Sequence, residues 1–114
     1  MNLDELTIGQ ARELTAIFGT TSKKSDDAHW EVGENYFVRT VTHHLLGTLV
    51  KVSSQELVLT DCSWIADDGR FSEMLSSGVA NEVEPFPDDT QVIVGRGSLI
   101  DAVRWNHALL RAIK

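Results

Sequence analysis

Two distant blocks of β-forming residues most constrain how this chain can fold. The first covers residues 36–59 and is rich in Val, Thr, Leu and aromatic residues. Gly47 and Ser53 divide it into three extended runs. The second block covers residues 91–103 and has the same character. Because an isolated strand pair is only marginally stable in water, we expect both blocks to join one sheet.

The pattern predicts a mainly β domain with five strands, at 36–45, 47–53, 56–62, 91–95 and 98–104. Each face of the first strand carries both polar and apolar side chains, so neither face is cleanly apolar. This indicates a strongly bent strand or one at an interface. We expect Gly47 to end that strand and to relieve the bend.

The segment 63–90 reads as a long acidic insertion before the last two strands. It predicts a turn at 67–69 and a short helix over 70–76. Pro85 and Pro87 exclude a central strand around Phe86. Ordered loops of this length often carry function.

The charge of −7 comes from one part of the chain. Residues 61–90 contain eight acids and a single base, Arg70, whereas the other residues contain nine acids and nine bases. Binding to long RNA or DNA is therefore disfavoured, because it needs a broad basic surface. A local pocket for a small anion is still compatible with this distribution.

With 114 residues the chain predicts a single domain, 1–114. It divides into an N-terminal amphipathic helix (1–19), a tether (20–34), the β region with its insertion (35–105) and a tail (106–114). The tail reads as a helical turn or a frayed end. The acidic start and the lack of a membrane-spanning apolar run predict a cytoplasmic protein with no membrane partner.

The Gly95-Arg96-Gly97 sequence is the strongest candidate for ligand binding. Glycines permit a positive φ and a close backbone approach, and a guanidinium suits a phosphate or a flat base. The alternative is a tight bend whose arginine pairs with Asp101 or the acidic insertion. Trp105 and Asn106 are candidates for stacking on and bonding a base, although such a tryptophan also commonly closes a core or an interface. The full set of candidate ligand-binding residues is Arg39, Arg96, Gly97, Ser98, Trp105 and Asn106.

The sequence gives little support for a catalytic site or a metal site. His43 and His44 are neighbours on a strand and point to opposite faces, so they cannot share one metal ion. Asp67-Asp68 with Glu82 or Glu84 reads as solvated acids rather than a cation site. Cys62, the only cysteine, reads as a small buried hydrophobe. No catalytic signature is complete, so we expect a non-enzyme that needs no cofactor and no metal.

Two short motifs resemble those of the Sm-like family, which includes the bacterial RNA chaperone Hfq and the LSm proteins. The first has the order of Gly47, Leu49, Val52, Ser53, Ser54, Leu57, Val58 and Leu59. The second has the order of Val94, Gly95, Arg96, Gly97, Ser98, Leu99 and Ile100. The resemblance implies a five-stranded small barrel with an N-terminal helix, whose exposed edges join copies into a ring, most simply a hexamer.

This chain departs from the Sm-like pattern at several positions. Ser53 stands where an acid is usual, and Glu56 lies where the family often carries an RNA-reading asparagine. The insertion and the tether are additions. The whole chain is also similar to small bacteriophage and prophage proteins, through the strings at 7–12, 64–67, 81–87 and 92–97.

Three functions follow as hypotheses from these features. The first is a non-enzymatic oligomer that binds a small nucleotide-like anion, as a phage sponge for a cyclic-nucleotide signal of host immunity. The second is an Hfq-like RNA-binding protein. The third is an inhibitor or structural module that uses its acidic 63–90 surface to bind a basic protein.

Overall fold

The computed structural model describes residues 29–114. Contacts within the chain divide it into two units, Met1–Trp30 and Glu31–Lys114, and the fold described below is that of the second. The predicted helix at 1–19 and residues 20–28 of the predicted tether lie outside the described residues.

The domain has six strands and one short helix, so the prediction of a mainly β fold is confirmed. There is one strand more than the five predicted. The elements are β1 (Asn35–Thr40), β2 (His44–Val52), β3 (Glu56–Asp67), α1 (Phe71–Ser77), β4 (Glu82–Pro85), β5 (Val92–Gly95), a 3-10 turn (Arg96–Ser98) and β6 (Leu99–Arg104).

All strand pairs are antiparallel, and the sheet has the order β4-β3-β2-β1-β6. The long strand β3 has two further partners: its first part (Glu56 to Leu59) pairs with β5 and its last part (Ser63 to Asp67) with β4. Strands β5 and β6 are joined by the 3-10 turn and do not pair with each other within the described residues. The sheet is therefore not closed into a barrel, and the predicted closure into a five-stranded small barrel is wrong.

Gly47 does not end a strand, and the predicted break at this position is wrong. The chain reverses earlier, at residues 40–43. There the Thr40 hydroxyl accepts a hydrogen bond from the His43 backbone N–H and donates one to the His43 carbonyl. Gly47 lies in the middle of β2, opposite a bulge in β3 at Asp61, whose φ is 48°. A Cβ at Gly47 would come within 3.0 Å of the Thr60 carbonyl oxygen. The glycine is needed because the bulged backbone approaches closely.

The acidic insertion is partly β structure, which the sequence did not predict. Strand β3 continues past Cys62 to Asp67, and β4 pairs with this extension. Pro85 is tolerated because β4 is a short edge strand that ends there. The predicted helix at 70–76 is confirmed by α1, which ends at Gly78 in the left-handed region with a φ of 76°.

A hydrophobic core lies between the sheet and α1. It consists of buried side chains from four strands, the helix and the following chain: Phe37, Leu46, Ile65, Met74, Ala80, Val83 and Trp105. Tyr36 and Val38, which flank Phe37 in β1, are also buried. Residues 36–38 are therefore covered on both sides of the strand, which the sequence did not predict.

Residues 106–114 are neither helical nor frayed. Leu109 and Leu110 pack against the core. The backbone of Lys114 exchanges two hydrogen bonds with Val83 of β4, at 3.0 and 3.1 Å. The tail thus covers part of the free edge of β4. Within residues 29–114, no helix is long and apolar enough to cross a membrane.

Candidate functional site

The Arg96–Ser98 turn is held by hydrogen bonds to two neighbouring turns. The Arg96 backbone N–H donates to the Gln55 carbonyl at 2.8 Å, and its guanidinium donates to the Ser53 carbonyl. On the other side, the Val41 N–H donates to the Ser98 carbonyl at 3.0 Å. The predicted pairing of Arg96 with Asp101 is not the one observed, since the guanidinium donates to a backbone carbonyl of the β2–β3 turn.

The backbone conformation at positions 95 and 97 does not require glycine. The φ of Gly95 is −69°, and neither glycine is among those with positive φ. The positive φ that a glycine permits is therefore not adopted at either position. Among residues 29–114, a Cβ added at either position would meet no atom within 4 Å. Neither glycine is therefore required by a close contact with the described part of the chain.

Arg39 is the residue that binds Asp101, its partner in the register of β1 and β6. Its guanidinium donates two hydrogen bonds to that carboxylate and lies over the Phe71 ring, 4.5 Å from its centre. The hydrogen bond from Arg39 lowers the pKa of Asp101, and the same bond raises the pKa of Arg39. These two charges are therefore satisfied within the domain.

Trp105 belongs to the core. It is 4% exposed, its ring lies 6.1 Å from Phe37 and 5.1 Å from His107, and its indole N–H donates to the Ala108 carbonyl. In this arrangement the ring closes the core, which is the second role that the sequence allowed. Asn106 is exposed beside it. The contacts of Trp105 are with core residues, whereas the hydrogen bonds of the Arg96–Ser98 turn are with the β1–β2 and β2–β3 turns.

The two neighbouring histidines have separate surroundings. His44 bonds the Asp68 carboxylate at 2.9 Å, and its ring meets Phe37 edge-on. His43 bonds the Thr42 hydroxyl at 2.7 Å, and its ring lies 5.5 Å from Trp64. Within residues 29–114, no group of three His, Cys, Asp or Glu side chains is placed to hold a metal ion.

Cys62 is buried, as the sequence predicted. Burial raises the pKa of its thiol to about 12, against the opposing charge of Arg111. A thiol with this pKa remains protonated at neutral pH and is a poor nucleophile.

The structure adds an aromatic surface that the sequence did not identify. Trp64 is 39% exposed and lies beside His43, above a groove lined in part by His43 and Phe86. The sequence contains a signal for this surface, since Trp64 and Ile65 are β-forming residues directly after residue 62, where the predicted third strand ends. The predicted insertion from residue 63 onward contains no strand, so the extension of β3 is a difference from the prediction.

The sequence matches no protein-family model and no curated relative. Function must therefore be inferred from the fold and these surfaces.

Proposed function

We propose that this chain is a non-enzymatic binding module, built on an Sm-like arrangement of strands, that assembles with copies of itself through its sheet edges. Three features support the Sm-like arrangement. The first and last strands pair, the long β3 is bent and shared between partners, and a 3-10 turn joins β5 to β6. In this proposal β4 and α1 are additions to the Sm-like strands, and the sheet of a single copy is open.

Two exposed sheet edges carry the proposal of self-assembly. Within the described residues, β5 pairs only with β3 and β6 only with β1. Each of these edge strands presents a large aliphatic side chain to solvent, Ile93 at 64% and Ile100 at 61% exposure. Unpaired edges with exposed apolar residues are places where another chain adds. Joining β5 of one copy to β6 of the next covers both edges and closes a ring.

The mass of the native assembly tests this proposal. We expect a hexamer at micromolar concentration, and we expect Ile93→Lys or Ile100→Lys to shift it to monomers. Ile113→Lys is the matched control, because Ile113 is 77% exposed but lies in the tail. A wild-type chain that stays monomeric at about 0.5 mM, far above the usual Kd of specific assemblies, contradicts the proposal.

A second candidate function is capture of a small nucleotide-like anion at the Arg96–Ser98 turn. The Arg96 guanidinium favours it, because this side chain lies between two glycines at which an added Cβ would meet no atom of residues 29–114 within 4 Å. Titration calorimetry with cyclic dinucleotides, cyclic trinucleotides and ADP-ribose tests it. We expect Arg96→Lys to weaken binding, with Arg70→Lys, at an exposed position, as the control. Absence of heat across the panel from a folded protein eliminates this candidate, including its use as a phage sponge.

A further inference from the structure

Four residues form a continuous surface at the end of the sheet, here called the Trp64 patch: His43, Trp64, Glu84 and Phe86. Trp64 and Glu84 are directly paired across β3 and β4. The Phe86 N–H donates to the Cys62 carbonyl, which continues the same ladder by one step. Alternation along each strand places Trp64, Glu84 and Phe86 on one face. The His43 ring lies 5.5 Å from that of Trp64.

The Trp64 patch leads into a groove of about 300 Å³. The groove is lined by residues of the β1–β2 region, of β5 and of the chain around them: Thr40, His43, Leu45, Phe86, Val92, Ile93, Val94, Gly95 and Ser98. The volume is at the lower end of those that bind small groups, and it suits one inserted apolar side chain. The patch therefore combines an exposed indole with an apolar recess beside it.

Acidic side chains border the Trp64 patch along β4. Glu82 and Glu84 are exposed and alternate with the buried Val83, and Asp67 lies opposite Glu82. The ion pairs among the described residues use Asp68, Glu73 and Asp88 from this part of the chain, but not Glu82 or Glu84. Their carboxylates thus face solvent as uncompensated charge beside an aromatic ring.

We propose that the Trp64 patch binds a basic segment of a partner protein. A Lys or Arg of that segment lies against the Trp64 ring and meets the carboxylates of Glu82 and Glu84, which combines cation–π and ionic attraction. An adjacent apolar residue of the partner enters the groove between His43 and Phe86. The same carboxylates repel nucleic acid and the other copies of this acidic chain. The inference rests on the proposed binding function. None of the four residues of the Trp64 patch lies in β5 or β6, but Val92, Ile93, Val94 and Gly95 of β5 also line the groove.

Fluorescence anisotropy of a labelled peptide tests the proposal. The probe is an octapeptide with the sequence Gly-Lys-Leu-Arg-Lys-Leu-Arg-Gly, and the comparison peptide has Glu in place of each Lys and Arg. We expect saturable binding of the basic peptide, at least tenfold tighter than that of the acidic one. Raising NaCl from 50 to 300 mM should weaken it severalfold, because the attraction is largely ionic.

Two variants assign that binding to the Trp64 patch. Trp64→Leu keeps an apolar side chain but removes the aromatic face, and Glu82→Gln with Glu84→Gln removes the charge. We expect each variant to weaken binding of the basic peptide about fivefold or more. Glu73 is an acid on α1, and Glu73→Gln should leave the affinity for this peptide unchanged. Wild-type affinity in both variants overturns the proposal, as does equal binding of the two peptides.

Native mass measured on the same variants separates this proposal from that of self-assembly. An unchanged mass with lost peptide binding supports the Trp64 patch as a partner site. If the wild-type chain is a monomer and still binds the basic peptide, the self-assembly proposal is refuted and the Trp64 patch proposal is not. If Trp64→Leu dissociates the assembly, the patch is an interface between copies and the partner proposal fails.

Discussion

At the scale of single residues, Gly47 and Asp61 show how one backbone irregularity determines side-chain choice. The extra residue at Asp61 moves the β3 backbone toward β2, where only a glycine fits. Asp61 itself adopts a positive φ, which aspartate tolerates better than most residues. The same bulge lies where β3 exchanges β5 for β4 as its outer partner.

Gly47→Ala tests this contact. We expect a loss of about 1–3 kcal/mol in the free energy of unfolding, because the Cβ meets backbone atoms that cannot move aside alone. Urea denaturation measures it. Gly97→Ala is the control, since a Cβ there meets no atom of the described residues within 4 Å. Equal stability of the two variants would show that β3 yields readily at the bulge.

The Cys62 thiol predicts a specific dependence of stability on alkaline pH. Its pKa is raised to about 12 by burial, whereas an unfolded cysteine has a pKa of about 8.5. The unfolded state therefore loses its proton first, and stability falls as pH rises above about 8.5, by up to about 1.4 kcal/mol per pH unit. We expect Cys62→Ala to flatten this slope between pH 9 and 10.5 while lowering stability at pH 7. Parallel profiles for both proteins would contradict the assignment.

At the scale of elements, the tail is a structural part of the domain. Arg111 carries most of its polar attachment, because its guanidinium donates to the Cys62 and Phe86 carbonyls and pairs with Asp88 at 3.1 Å. The Ser63 hydroxyl donates to the Leu110 carbonyl at 2.6 Å. His107 bonds the Leu75 carbonyl near the end of α1, so the tail also holds the helix.

Arg111→Ala should therefore destabilise the domain by about 1.5–3 kcal/mol, the usual loss for charged hydrogen bonds whose acceptors become unpaired. Thermal unfolding provides the measurement. Arg70→Ala serves as the control, since that side chain is exposed and pairs only weakly with Glu73. If both variants melt together with the wild type, the tail contributes nothing to stability.

The contact between β1 and β6 is sensitive to acid through Asp101. Its pKa is lowered by the hydrogen bond from Arg39, so the stabilisation is present above the unfolded pKa of about 3.9 and is lost as pH falls through the lower folded value. Both side chains are partly exposed, so the effect is small. We expect Asp101→Asn to lower the urea midpoint at pH 7 and to match the wild type at pH 2. A difference that persists at pH 2 would have another cause.

At the scale of the whole molecule, charge and apolar edges act in opposite directions. Copies that each carry −7 repel one another, whereas Ile93 and Ile100 favour association. Salt screens the repulsion and leaves the apolar contact intact. We therefore expect the assembly to tighten as NaCl rises from 20 to 300 mM, as measured by sedimentation velocity. Peptide binding at the Trp64 patch should instead weaken as NaCl rises. If salt weakens the assembly, the contacts between sheet edges are ionic rather than apolar.

The sequence by itself determined the mainly β class, the helix near residue 71, the burial of Cys62 and the position of the acidic surplus. Each depends on composition or on a local pattern, which a few neighbouring residues fix. The candidate site was harder to predict. Trp105 had two predicted roles, stacking on a base or closing a core or interface, and it closes the core. Trp64 was assigned to an insertion and is 39% exposed.

Only the tertiary structure decided which strand β3 pairs with, why residue 47 is glycine and how the tail is attached. The physical reason is that one bulge changes the register of a strand and thereby the face on which each later side chain lies. That choice is settled by contacts between segments far apart in the chain. Residue types alone therefore indicate which side chains are apolar or charged, and the fold determines which of them remain exposed.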